Sequence, residues 1–283
     1  MEQRRLGKTE HMSSILTMGG AAFWLVSQAE ADAGIEMAVE HGINHIDVAP
    51  QYGQAEMRLG PWLSKHRREV FLGCKTMARS KIEVRESIRQ SLKTMQVNDF
   101  DLFQFHGVDD METLNILFGP DGGLEAVLEA KKQGLLRYIG ITGHRTHFLT
   151  EALKLFNFDT VLFPLNRVLA AHPRETVEFN PLIKVARQKD VGTIAIKTIT
   201  KSPWNRQMHM YKTWYEQFET QEEIDRSLWY ALSQDITTAA MPGDLRLWPK
   251  ILDAAERFKP MTESEQVKAV AEVKQYQPLF PPG

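Results

Sequence analysis

Eight short apolar runs recur along the chain: Ile15–Gly20, His45–Ala49, Val70–Thr76, Asp101–Gly107, Tyr138–Gly143, Thr160–Asn166, Gly192–Thr198 and Thr237–Gly243. Runs of this length and composition read as strands buried on both faces, as in a parallel sheet. The segments between them carry helical periodicity. Ala29–His41 places Ile35, Met37, Ala38 and Val39 around a helix, and Gly42 follows as a stop. Lys81–Met95 sets Val84, Ile88, Leu92 and Met95 on one stripe. Leu124–Lys132, Thr146–Phe156, Pro181–Lys189, Glu222–Leu232, Ile251–Phe258 and Glu263–Tyr276 continue the series. Strand and helix in strict alternation define a parallel α/β fold. With eight repeats, closure into a (β/α)8 barrel of the TIM type is favoured over an open sheet, because closure leaves no exposed edge. No Gly-x-Gly-x-x-Gly follows the first run, so the usual dinucleotide fingerprint of an open sheet is missing.

Ahead of the first run, Arg4–Ser14 contains Leu6-Gly7-Lys8 and predicts a short N-terminal hairpin plugging the lower end of the barrel. No linker rich in Pro, Gly or Ser divides the chain, so residues 1–283 are expected to form a single domain. A hydrophobic fraction of 43% and a charged fraction of 25% argue against disorder, and a net charge of −2 offers nothing to nucleic acid or an anionic membrane. Cys74 is the one cysteine, which excludes an intrachain disulfide and fits a reducing compartment. The opening residues Met1-Glu2-Gln3-Arg4-Arg5 show no apolar leader, and no run approaches the roughly 18 apolar residues of a membrane span, so the cytoplasm is the expected location. The oligomeric state is not readable.

Barrel enzymes work at the C-terminal ends of their strands. Asp47 lies near the end of the second run and Tyr52 in the loop after it; Lys75 ends the third and His106 the fourth. Strand alternation pairs Lys75 with Gly73 and His106 with Gln104, leaving Leu72, Cys74, Phe103 and Phe105 to face the helices. An acid, an amine and an imidazole are thus aimed at one spot. Singly, each has an ordinary reading: a helix cap, a solvated lysine, a core histidine. At successive strand ends they suit one reaction. A carbonyl that accepts hydride develops negative charge on oxygen and needs a proton. Tyr52 is the expected general acid, Lys75 the ammonium that lowers its pKa, Asp47 the counter-charge, and His106 a donor that orients the substrate oxygen.

Gly42-Ile43-Asn44-His45-Ile46-Asp47, then Tyr52-Gly53-Gln54-Ala55-Glu56 and Leu59-Gly60, closely resembles the aldo-keto reductase signature. Lys75 and His106 stand where that family's remaining catalytic residues are expected. Arg5-Leu6-Gly7-Lys8-Thr9 resembles its opening and Tyr138-Ile139-Gly140-Ile141-Thr142 its fifth strand. The resemblance implies an NADPH-type cofactor stretched across the strand ends, with NADH open, and a small aldehyde or ketone substrate. It also implies cofactor contacts at Gly20, Asp47, Thr142, Asn166, Lys197, Gly243 and Arg246. Thr142 replaces a serine, and Gly143-His144 stands in place of an asparagine. Asn166 is either an amide partner or a turn residue. Lys197 stands where an aromatic commonly stacks on nicotinamide; it either meets the cofactor's pyrophosphate or rides on the barrel rim. Met241-Pro242-Gly243-Asp244-Leu245-Arg246 resembles a shortened adenosine loop, with Arg246 ahead of Lys250 as the ligand of a 2′-phosphate, while Asp244 argues against a phosphate and leaves NAD open.

Thr200–Thr220, rich in Met and aromatics and including Trp204, Met208 and Trp214, is either a lid or a packed helix. Phe23, Trp24 and this stretch suggest an apolar pocket. His144 and His147, three apart with no acidic partner nearby, read as a solvated helix start rather than a metal pair. No metal site is expected: a metal-dependent barrel hydrolase would need a ligand cluster with histidine early in the chain, and Ile15–Gly20 has none. The other competing reading is a non-catalytic, cofactor-sensing or regulatory barrel, against which the intact Asp47, Tyr52, Lys75 and His106 speak.

Overall fold

The computed structural model describes residues 1–205 and 209–280. The chain opens with β1 (Gln3–Arg5) and β2 (Met12–Ser14), an antiparallel hairpin. Eight further strands close into a parallel barrel. Seven come in chain order: β3 (Leu16–Gly19), β4 (His45–Asp47), β5 (Phe71–Thr76), β6 (Phe100–Phe105), β7 (Leu136–Thr142), β8 (Thr160–Pro164) and β9 (Gly192–Ile196). A short antiparallel ribbon, β10 (Thr200–Ser202) with β11 (Glu216–Gln217), intervenes before β12 (Thr238–Ala240), which closes the ring between β9 and β3. All eight expected strands are present; most are shorter than their apolar runs, while β7 begins two residues earlier than its run.

The expected helices are α1 (Gln28–Glu40), α3 (Lys81–Thr94), α5 (Gly123–Lys132), α6 (Thr146–Leu155), α8 (Asn180–Gln188), α9 (Gln221–Leu232), α10 (Trp248–Glu256) and α11 (Glu263–Ala271). Their starts are sharp. Ser27 with Glu30, Ser80 with Glu83, Thr220 with Glu223 and Thr262 with Glu265 form capping boxes, each satisfying donors that a helix start leaves bare. Three helices had no periodic signal: α2 (Ala55–His66), α4 (Met111–Phe118) and α7 (Arg167–Ala171). α2 has Gly60 and Pro61 inside it, and the other two are short.

The hairpin seals the barrel floor. Leu6 is fully buried with Phe71, Leu102, Leu162 and Ile194. Its approach requires Gly7, whose backbone is left-handed (φ +50°) and whose absent Cβ would lie 2.3 Å from the Gly192 nitrogen. Leu72, Cys74, Phe103 and Phe105 lie in the shell between strands and helices. Among the described residues no helix is long and apolar enough to cross a membrane.

Candidate active site

β4, β5 and β6 lie side by side with Asp47 opposite Gly73 and Lys75 opposite Gln104. Alternation then places Lys75 and Gln104 on the axis, one level above Gly73 and Leu102. The Lys75 ammonium meets Asp47 Oδ2 at 2.5 Å, and the Gln104 amide donates to Asp47 Oδ1 at 2.9 Å. All three side chains are almost wholly excluded from solvent. Gln104 fits because β7 carries Gly140 beside it, where a Cβ would come within 2.8 Å of Gln104 Cγ. The sequence put Gln104 on the axis without giving it a role; here it is the donor that occupies the carboxylate's second oxygen.

Tyr52 sits above this pair in the loop before α2. The Lys75 ammonium is 4.9 Å from its ring centre, and His106 packs edge-on at 5.9 Å. His106 follows β6 directly and extends its ladder, donating its N–H to the Thr76 carbonyl. Arg79 anchors the turn through the carbonyls of His106 and Gly107 at 2.6 and 3.1 Å. The four expected side chains therefore meet at one place.

The electrostatics correct one expectation. The tyrosine was expected to be lowered by Lys75, yet its pKa is raised. Burial, the strongest influence, disfavours phenolate, and Lys75 only partly offsets it while Asp47 pushes the same way as burial. The phenol thus keeps its proton at neutral pH. For Lys75, burial works against the ammonium, but Asp47 and Tyr52 outweigh it and lift the pKa above its ordinary value. His106 is driven down to about 3, by burial first and then by Lys75 and other cations, so its ring is neutral. Its Nδ1 is buried without a hydrogen-bond partner. Cys74 is buried facing Glu56 rather than the site, and burial pushes its thiol far up.

The opposite side of the mouth, at the ends of β9, β12 and β3, is built differently. Gly20, Asp47, Tyr52, Lys197 and Gly243 line one cavity of about 240 Å³, with Trp24, Trp214 and Tyr215 as aromatic walls. Phe23, expected to line the pocket, is instead fully buried against Trp248 at 5.6 Å. Lys197 has a left-handed backbone (φ +62°). Its carbonyl accepts hydrogen bonds from Asn166 Nδ2 (3.1 Å), Thr200 Oγ1 (2.8 Å) and Thr200 N (3.2 Å). Asn166 also caps α7 by accepting from the Leu169 N–H, so its amide is engaged by the protein at both ends. Thr142 is buried behind His106, its hydroxyl accepting the Gly107 N–H. Arg246, read as a phosphate ligand, is held by Asp244, which also accepts the N–H groups of Lys212 and Arg246. An internal carboxylate is thus Arg246's partner in this structure.

Among the described residues of the 200–220 stretch there is neither a helix nor a free lid. The β10–β11 ribbon frames them, and Trp204 Nε1 donates to the Thr213 carbonyl; Met208 lies outside the described residues. His144, expected to be solvated, is mostly buried: its ring meets Asp109 at 3.2 Å and stacks on Phe280 at 4.9 Å. Neither Asp109 nor Phe280 was singled out from sequence. Among the described residues no cluster of three metal-ligating side chains occurs.

The chain is thus a parallel eight-stranded barrel with a buried carboxylate–ammonium pair under a protonated phenol. The chain belongs to the Aldo/keto reductase family, whose model matches residues 16–274. It is 26% identical over 221 residues to the oxidoreductase YqkF of Bacillus subtilis, covering 72% of this chain and 68% of that one. It is 27% identical over 163 residues to the methylglyoxal reductase DkgA of Salmonella typhimurium, covering 56% of each. The chain thus spans between about half and two thirds of the length of these curated relatives. The solved structure of aldo-keto reductase AKR11C1 from Bacillus halodurans, in its holo form, matches over 96% of both chains with a TM-score of 0.75 at 20% identity, a likeness of fold. Family and relatives together support an enzyme of the oxidoreductase class.

Proposed function

We propose that the protein reduces an aldehyde or ketone to an alcohol with a nicotinamide cofactor, with Tyr52 as proton donor. The observation that carries this reading is the Asp47–Lys75 pair buried directly against the Tyr52 ring. The donor set fits the cofactor. Flat aromatic walls, an ammonium and the backbone at Gly20 and Gly243 share one cavity with Asp47 and Tyr52, so a planar ring held there would lie beside the phenol. Gly20 and Gly243, with the ring faces of Trp24, Trp214 and Tyr215, are the residues that would hold it. When bound, the cofactor supplies hydride to the carbonyl carbon.

The chain's own residues supply the rest. His106, uncharged, donates an N–H to the carbonyl oxygen and fixes its direction. As charge develops on that oxygen, the Tyr52 O–H transfers its proton there. The nearby Lys75 ammonium stabilises the phenolate left behind, and Asp47, steadied by Gln104, holds Lys75 in position. Solvent exclusion strengthens each of these interactions. The choice between NADPH and NADH follows from Asp244: with Arg246 tied to it, NADH is as well served as NADPH. The substrate is a small molecule, and the lone buried cysteine suits the cytoplasm.

Oxidation of NADPH and NADH with a panel of aldehydes and ketones tests the activity. Tyr52→Phe should lower kcat by about 10²- to 10⁴-fold, the usual contribution of a positioned general acid, while the cofactor still quenches tryptophan fluorescence. Full turnover in Tyr52→Phe would exclude the tyrosine as acid. A wild-type protein that binds cofactor but reduces no carbonyl would be a sensor instead.

A further inference from the structure

Lys197 is nine-tenths buried, yet no hydrogen bond or ion pair of its ammonium occurs among the described residues. Its neighbours are ring faces: Trp214 at 4.7 Å and Phe280 at 5.7 Å. The carboxylates at the mouth are committed elsewhere. Asp47 is paired with Lys75 and Gln104, and Asp109 accepts from the His144 ring and from the N–H groups of His144 and Arg145. The other cation of the cavity, Lys212, gives its ammonium to the Leu25 carbonyl. One cation is therefore left open, in the same cavity as the proton donor. Its place is not accidental to the backbone, since three hydrogen bonds to its carbonyl hold it in the left-handed conformation that non-glycine residues rarely adopt.

We propose that Lys197 is an anion seat for the substrate, and that the protein prefers carbonyl compounds carrying a carboxylate or phosphate over their neutral counterparts. This rests on the reductase reading above. A buried ammonium without a counter-ion is costly, and an incoming anion removes that cost. The state of the free protein agrees: burial, helped by Lys75 and only partly opposed by Asp109, lowers the Lys197 pKa to about 7. An anion binds the protonated form and raises that pKa, so selectivity for charged substrates is full below pH 7 and fades above it. His106 and His144, both neutral near pH 7, do not compete for the anion.

The test compares glyoxylate, succinic semialdehyde and 4-carboxybenzaldehyde with their methyl esters. The expected result is a wild-type kcat/KM at least about tenfold higher for one or more acids than for the matching ester, the size of one charge-assisted hydrogen bond. In Lys197→Met that ratio should collapse, and in Lys197→Arg it should largely return. Because a ratio is read, any general loss of activity cancels. Equal rates for acids and esters in the wild type, or a ratio untouched by Lys197→Met, would overturn the proposal. So would tenfold weaker NADPH binding in Lys197→Met with the ratio intact, which would assign the ammonium to the cofactor's pyrophosphate. A turnover-free arm separates this proposal from the reductase reading: 4-(hydroxymethyl)benzoate should raise the Tm of wild type and not of Lys197→Met. A protein showing that shift but reducing nothing keeps the anion seat and loses the reductase assignment; a protein without the shift loses the seat.

Discussion

Two lysines stand at the barrel mouth, both buried, Lys197 lining the cavity and Lys75 lying against the Tyr52 ring, and their surroundings push them in opposite directions. Lys75 has a carboxylate at 2.5 Å, and its charge is stabilised. Lys197 has two aromatic faces and, among the described residues, no paired carboxylate, with Asp109 acting only from a distance, and its charge is destabilised. Burial alone would depress either one; what differs is the partner. The half of the mouth that carries Asp47, Lys75 and His106 is complete in charge: the Lys75 ammonium is matched by Asp47, and both oxygens of that carboxylate take a donor. The half that carries Lys197 is incomplete. A finished network serves to hold reacting groups still, while an unfinished one serves to receive something.

The largest test of this contrast is stability. Lys75→Met strands Asp47 as a buried, uncompensated charge and should destabilise the fold by about 3–5 kcal/mol. Lys197→Met removes an unpaired ammonium and should leave stability unchanged or improved. Denaturant midpoints of the two variants measure the difference. The double replacement Asp47→Leu with Lys75→Met should recover much of what the single one loses, because neither charge is then left alone. Equal losses at the two sites would mean that the partner is not what separates them.

A smaller effect is expected from Gln104→Leu, which takes the donor from Asp47 Oδ1 while leaving the Lys75 contact in place. A buried acceptor without a donor costs about 1–3 kcal/mol. Its carboxylate would also rotate more freely, loosening Lys75 beneath Tyr52. The pH profile of kcat should then shift, whereas Gln104→Glu, which restores polarity but adds a second acid, should lower activity further. A Gln104→Leu enzyme with wild-type stability and an unmoved profile would show that Lys75 alone positions Asp47.

The same division governs what the sequence could show. Asp47, Lys75, Gln104 and His106 lie on or directly after strands, where a period of two sends alternate residues to the axis, so their convergence follows from apolar neighbours such as Leu72, Cys74, Phe103 and Phe105. The barrel was legible for the same reason. Helices α2 and α7 were not, since α2 holds Gly60 and Pro61 within its pattern and α7 has only five residues, too few for a period of 3.6. On the cofactor side the decisive facts are conformational or long-range. A lysine with φ +62° has no sequence signal, and Phe280 reaches His144 from the far end of the chain. The pairing of Arg246 with Asp244, two residues before it, had no sequence signal of its own, since such an acid reads equally well as a neighbour and as a ligand.

Asn166 joins these two themes, and the effects expected there are the smallest. Its oxygen caps α7, and its amide nitrogen donates to the Lys197 carbonyl. Asn166→Ala removes both and should cost about 1 kcal/mol, the usual loss for an N-cap. Asn166→Ser keeps a capping oxygen of comparable strength but has no amide to reach Lys197. If Asn166 positions Lys197, the acid-to-ester ratio should fall a few-fold in both variants, while chemical denaturation separates them, with Ser near wild type and Ala below it. A ratio unchanged in both would leave Thr200, which gives the same carbonyl its N–H and its hydroxyl, as sufficient to hold the left-handed turn. The backbone of the open half would then be fixed from within its own loop, independently of α7.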